Sequence, residues 1–261
     1  MNTEPYDPRV QMTARYATDS RRGRRWVGLL MQTLLVVLAA LAYFAVRGIT
    51  HSSRAVADAN AHRVEDLERA VHLDHERWLQ GLVIDHGWLV TLANWIYIYG
   101  HWPLIAVVML GLYLRVPERF RLLRNAMFIS GAIGLVIFVL FPVAPPRLGL
   151  LGMVDTITDR SSSYRTLQPP QLVNPYAAVP SLHFGWNLLV GVVLWHSTHN
   201  RALRTFAACI PVLMAFAVLV TANHYLFDVL AGAIVALTGL LIAHLWQRNR
   251  PMVPSTRGAR R

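Results

Sequence analysis

His224-Tyr225-Leu226-Phe227-Asp228 opens an apolar run that continues to about residue 246, and Pro180-Ser181-Leu182-His183 opens another over about 182–197. Each run begins with a histidine, and the first adds a carboxylate four residues later. Ionisable groups beside membrane-length apolar segments are costly, so they mark function. On a helix, positions i and i+4 share a face, which sets Asp228 beside His224. If both helices start at the same membrane face, two imidazoles and one carboxylate converge there.

Working outward, further apolar runs lie at about 26–46, 88–114, 126–143 and 204–222. Most approach the roughly 20 residues that cross a bilayer core. Ser181 is a good N-cap for the run at 182–197, and Pro103 predicts a kink inside the run at 88–114. The chain is 54% hydrophobic and 15% charged, against about a quarter charged in soluble domains. The expected fold is all-α: a polytopic membrane protein, a six-transmembrane-helix bundle with an extracytoplasmic surface helix. The expected organisation is a disordered basic tail at 1–24, an anchor helix plus amphipathic helix at 25–87, a catalytic transmembrane bundle at 88–247 and a basic tail at 248–261.

All 25 basic side chains are arginine, which excludes a Schiff-base or P-loop lysine. The net charge of +11 sits in tails and short loops, so it reads as a topology signal rather than a nucleic-acid surface. The arginines before residue 26, at 115–125, at 201–204 and after 247 all fall on one side of a six-span chain. The positive-inside rule makes that side cytoplasmic, with both termini inside and both histidine motifs at the extracytoplasmic face of the plasma (inner) membrane. Arg21-Arg22-Gly23-Arg24-Arg25 before the first run also raises a cleaved signal peptide; the length of the run favours an uncleaved anchor. Cys209 is the single cysteine, so no intrachain disulfide and no cysteine metal cluster exists.

Val56, Val64, Leu67, Val71, Trp78 and Leu82 recur at helical spacing, with Glu65, Asp66, Glu68, Arg69, Asp74, Glu76 and Arg77 on the other face. This periodicity predicts a helix over 51–83 that lies on the membrane surface or caps the bundle, its charged face in water. His51, His62, His72, His75 and His86 lie in or beside this stretch, but no HExxH-type spacing occurs, so they read as solvated histidines and no metal is expected.

The chemistry follows from the residue types. An Asp beside His224 accepts its Nδ1 proton, leaves Nε2 to attack and stabilises the cation that forms. Ser181 and the first-turn amides of its helix attract an oxyanion, and His183 beside them is able to protonate a leaving oxygen. Phe141-Pro142-Val143-Ala144-Pro145-Pro146-Arg147 stiffens the exit from the run at 126–143 and presents Arg147 for phosphate recognition. Arg165 and Tyr176, in the following loop, are further phosphate-binding candidates. A rival class is a non-catalytic lipid carrier or proton-coupled transporter using the His–Asp pair as a relay; such sites usually lie at the midplane between internal repeats, and no repeat is visible.

Arg147, then Pro180-Ser181-Leu182-His183, then His224-Tyr225-Leu226-Phe227-Asp228, in that order, resembles the type-2 phosphatidic acid phosphatase superfamily over about residues 88–246. The stretches 174–183 and 221–225, and Trp95 to Pro103 with Tyr97, Tyr99 and His101, look most like its inositolphosphotransferase-like (inositol phosphorylceramide synthase-like) branch. The resemblance implies a phosphohistidine on His224, an Asp partner at Asp228 and a general acid at His183. It implies no cofactor, a membrane phospholipid or polyprenyl phosphate as substrate, and water or an alcohol such as inositol as acceptor. Three positions depart from the superfamily pattern: the Lys before its first-motif Arg is missing, Val218 stands where an Arg is usual, and the second motif reads Ser-Leu-His rather than Ser-Gly-His.

Overall fold

The computed structural model describes residues 27–28, 30–39, 41, 53–148, 151–160 and 175–249. The expected tails at 1–24 and 250–261, part of the first expected span and Arg165 lie outside these residues. Residues 1–46 and 47–261 are separate compact units. The first contains the described apolar helical segment α1 (Leu30–Ala39).

The second unit is helical, in the order α2 (Arg54–Ala70), α3 (Glu76–Ile84), α4 (Gly87–Tyr99), α5 (Trp102–Arg115), α6 (Pro117–Leu140), α7 (Thr156–Arg160), α8 (Leu182–Trp195), α9 (Arg201–Val220) and α10 (Leu226–Arg248). Among the described residues α6, α9 and α10 are long and apolar enough to cross a membrane, and the α4–α5 pair passes as one broken span bent by 46°. Their outer faces are apolar: Val136, Val212 and Ile234 are 57%, 67% and 67% exposed. A surface of that kind suits hydrocarbon rather than water.

Expected and observed boundaries differ for physical reasons. The bend in the 88–114 run falls at Gly100 and His101, and Pro103 sits in the first turn of α5, where a missing N–H costs nothing. Helix α6 starts at Pro117 rather than 126, for the same reason, so Arg119, Arg121 and Arg124 lie on a helix instead of in a loop.

The surface helix is two helices, and three of its carboxylates are buried where the periodicity puts them in water. The chain breaks after α2, with His72 in the left-handed region at φ 57°, and restarts as α3. Glu65, Glu68 and Glu76 are buried, while Val56, Leu67, Val71, Trp78 and Leu82 are exposed. Asp66, Arg69, Asp74 and Arg77 stay exposed and Val64 is buried, so of the charged face only the three glutamates turn toward the bundle. Periodicity locates a two-faced helix but does not say which face meets the protein; here the unsatisfied amides of another helix draw the carboxylates inward.

Helices α6, α8, α9 and α10 meet through small residues, the usual device where lipid removes the hydrophobic drive for association. A Cβ on Gly185 would stand 2.7 Å from the carbonyl oxygen of Gly232, and one on Gly232 would collide with the carbonyl of Ser181. This close approach lets the Ser181 N–H donate to the Asp228 carbonyl at 3.0 Å, which locks the starts of α8 and α10 together.

Candidate active site

Three backbone segments meet beneath α2. Pro142 and Ala144 are tied to α2 by Asn60 Nδ2 donating to the Pro142 carbonyl at 2.9 Å and by the Ala144 N–H donating to Ala57. Val143 pairs in parallel with Ala177, through Val143 N–H to Tyr176 at 2.9 Å and Ala178 N–H to Val143 at 3.3 Å. The Arg147 N–H donates to the Ala222 carbonyl at 2.9 Å. The exit of α6, the entry to α8 and the α9–α10 turn are thus stitched into one unit.

The turn Thr221-Ala222-Asn223 is held from inside. Thr221 Oγ1 donates back to Ala217 at 2.7 Å, and Asn223 Nδ2 donates to the Thr221 hydroxyl at 3.0 Å. Ala222 adopts φ 57°, a conformation that costs a residue with a Cβ about 1 kcal/mol. The effect is directional: both Asn223 and His224 N–H groups return to the Val218 carbonyl, and the imidazole turns inward.

His224 Nδ1 lies 2.9 Å from the Ala178 carbonyl and 3.2 Å from Asp228 Oδ2. A carbonyl only accepts, so Nδ1 carries the proton and Nε2 is the basic nitrogen of the neutral ring. Asp228 is fully buried, its Oδ2 also accepts from the Tyr225 N–H at 2.9 Å, and its Oδ1 has no partner among the described residues. Burial, together with the nearby Arg147 charge, lowers the His224 pKa to about 3 despite the Ala178 bond. The ring is neutral at physiological pH.

His183 sits on the first turn of α8 with its ring centroid 6.3 Å from that of His224. It stacks on Tyr97 at 4.5 Å and packs against His101 at 4.2 Å. Asn187, one turn along α8, donates to the His183 carbonyl at 2.8 Å and to His101 Nδ1 at 3.1 Å. Ser181 is the N-cap and accepts from the Phe184 N–H at 3.4 Å. The expectation of a free Ser181 N–H is corrected, because it donates to the Asp228 carbonyl; the hydroxyl accepts the capping bond and keeps its own proton to donate. The first-turn amides left without an intrahelical acceptor are those of Leu182 and His183.

Arg147 emerges from a short 3-10 turn, Pro146–Leu148. Its Nε is 3.5 Å from Asp155 Oδ2, and its Nη1 is buried with no partner among the described residues. Asp155 is itself fixed by its neighbours. Gln80 bonds both the N–H and the carbonyl of Val154 at 2.9 Å, and Asn94 exchanges bonds with Thr156. Tyr176 is half-buried and packs against the cluster that contains Val143, Ala178 and Tyr225. The structure thus brings together His224, Asp228, His183, Ser181 and Arg147, and sets Tyr176 on the same stitched segment.

Sequence reasoning missed the partners behind these groups. Asn187, four residues after His183 inside an apolar run, was a legible signal, because a buried amide in a span demands a reason. Asp155, Glu68 and Glu76 carried no comparable signal. Among the described residues no group of three or more His, Cys, Asp or Glu is placed to hold a metal ion.

A sequence model of the PAP2 superfamily matches residues 62–242. The crystal structure of Aquifex aeolicus LpxE superposes with a TM-score of 0.50 at 14% identity, covering 65% of this chain and 92% of that one; this likeness speaks to the fold. A search of curated proteins found no match. With the family match spanning most of its length, the chain belongs to the PAP2 superfamily.

Proposed function

We propose that this protein transfers a phosphoryl or phosphodiester group from a membrane phospholipid or polyprenyl phosphate through a phosphohistidine on His224. The observation that carries this reading is the pair of acceptors on His224 Nδ1, Ala178 and Asp228, which leaves Nε2 as the nucleophile. Nε2 attacks phosphorus, the phosphorus–oxygen bond to the alcohol breaks, and His183 delivers a proton to the departing oxygen. Asp228 stabilises the imidazolium that carries the phosphorus. Arg147 Nη1 and the amides of Leu182 and His183 hold nonbridging oxygens, and preorganised donors of this kind stabilise the charge that builds in the transition state. Arg165 and Tyr176 are further phosphate contacts in this scheme.

In the second half, water or an alcohol gives its proton to His183 and attacks the phosphohistidine, and the phosphorus–nitrogen bond breaks. Water yields a phosphatase; a hydroxyl such as that of inositol yields a new phosphodiester, as the inositolphosphotransferase-like motifs suggest. The chain spans the inner membrane six times in this reading, with both termini cytoplasmic and the site outside. The test is turnover of a panel of phospholipids and polyprenyl phosphates by the purified protein, with and without inositol. Free phosphate identifies hydrolysis, and a new phosphodiester identifies transfer. An acid-labile phosphorylated species should form in the parent and vanish in His224→Ala; full turnover by that variant refutes the mechanism.

A further inference from the structure

The start of α10 has an unusual set of acceptors. The first N–H groups of a helix lack intrahelical partners and normally find water or one capping side chain. Here three in a row are each taken by a different buried carboxylate. Tyr225 N–H donates to Asp228 at 2.9 Å, Leu226 N–H to Glu76 Oε1 at 2.7 Å and Phe227 N–H to Glu68 Oε1 at 2.7 Å. Glu68 and Glu76 are 1% and 2% exposed and come from α2 and α3, roughly 150 residues earlier in the chain. The two glutamates accept from adjacent amides of one helix turn, which brings them within reach of each other, and two carboxyl groups so close share a proton rather than ionise together.

We propose that Glu68 and Glu76 form a proton-sharing carboxyl pair that clamps the first turn of α10 and so registers Asp228 and His224 for reaction. They are positioning residues: neither touches the reacting atoms, and they act through the backbone that carries His224 and Asp228. The role rests on the reading of His224 as nucleophile; the pair itself does not. A helix N-terminus favours one negative charge, and the shared proton keeps the pair near that charge. Burial, then the charges of Glu76 and Asp228, push Glu68 up to about 8 against the pull of the Phe227 amide. The groups that act on it are Glu76 on α3 and Tyr225 and Asp228 at the α10 start; Glu65 on α2, bonded to Arg69 and near His62, acts on Tyr225, and Arg147 from the stitched segment acts on His224.

The experiment uses the full chain in lipid nanodiscs. Infrared titration of the parent should show a protonated buried carboxyl at neutral pH that is lost as pH rises through about 8 and is absent from E68Q. That band needs no substrate, so it decides the pair even if His224→Ala shows the nucleophile assignment to be wrong. The side-chain amide of E68Q keeps an acceptor for the Phe227 N–H and a donor for Glu76. That variant should therefore hold kcat within about threefold at neutral pH, and it should lack the fall in kcat that release of the shared proton should cause in the parent as pH rises through about 8. E68A, which leaves two groups unpaired, should lose kcat by on the order of 10²-fold with KM little changed, the size of effect a small misplacement produces. A band that survives in E68Q, or E68A and E68Q variants with the same kcat and the same pH profile, overturns the proposal.

Discussion

The carbonyl of Ala178 and the imidazole of His224 are 2.9 Å apart across 46 residues of sequence, and this contact ties the second histidine motif to the loop that introduces the first. It makes the tautomer of His224 a property of the backbone. In most His–carboxylate pairs the carboxylate alone holds the proton on Nδ1; here a carbonyl, which has no proton of its own to offer, does it first.

The consequence is a mild phenotype for Asp228→Asn. In serine proteases the equivalent change costs about 10⁴ in kcat because the wrong tautomer results. In this protein Ala178 retains the proton on Nδ1, and an Asn oxygen still accepts from the Tyr225 N–H. On the proposed mechanism, what is lost is the negative charge that stabilises the phosphoimidazolium. The expected loss in kcat is about 10²-fold with KM little changed. Steady-state kinetics on the best substrate of the panel checks it, and a loss near 10⁴ would show that Ala178 does not hold the tautomer.

Arg147 should behave as a phosphate anchor with a second effect on His224. Asp155 occupies its Nε, while Nη1 is buried and unpartnered among the described residues. Arg147→Ala should raise KM by about tenfold or more, and Arg147→Lys should recover little, since a point charge does not reproduce the guanidinium fork. The same substitution removes a positive charge that depresses the His224 pKa. The imidazole should therefore titrate at higher pH in Arg147→Ala, which NMR of selectively labelled histidine reads directly.

Gly232 tests whether close helix approach builds the site. An added Cβ meets the carbonyl of Ser181, and backbone does not yield as a side-chain tip does. Gly232→Ala should push α10 from the start of α8, stretch the Ser181–Asp228 bond and cost about 1–3 kcal/mol of stability. Thermal unfolding in detergent and kcat should fall together. Gly81→Ala, where a Cβ meets nothing within 4 Å, is the control and should leave both near parental values.

The candidate site residues were legible in the sequence because membrane chemistry makes them conspicuous. His183, His224 and Asp228 interrupt long apolar runs, and Pro145, Pro146 and Arg147 end another. The residues that hold them were not legible. Glu68 and Glu76 lie in an evenly amphipathic stretch whose charged face, by pattern alone, belongs in water. The burial of these two depends on the orphan N–H groups of Leu226 and Phe227, about 150 residues away, and no local pattern encodes that match. Span boundaries slipped for a related reason: Pro117 and Pro103 read as breaks or kinks, yet both occupy first turns.

Stability should fall between about pH 6.5 and 8, and the sign follows from two groups. Glu68 moves from an ordinary 4.5 up to about 8 on folding. Between those values the folded protein keeps a proton that the unfolded chain has released, so the stability from this group declines as pH rises through the window. His224 moves from 6.5 down to about 3. Between those values the unfolded chain binds the extra proton, so this group adds stability as pH rises and has given all of it by 6.5. The two oppose each other from 4.5 to 6.5, and above 6.5 Glu68 acts without that counterweight. Unfolding midpoints in detergent should drop over pH 6.5–8 in the parent and drop less in E68Q, whose amide does not titrate. His224→Ala should leave that alkaline slope in place and lose stability less steeply toward acid. An E68Q slope equal to the parent's across the alkaline window would mean that Glu68 is ionised in the folded protein and that the carboxyl pair holds no proton.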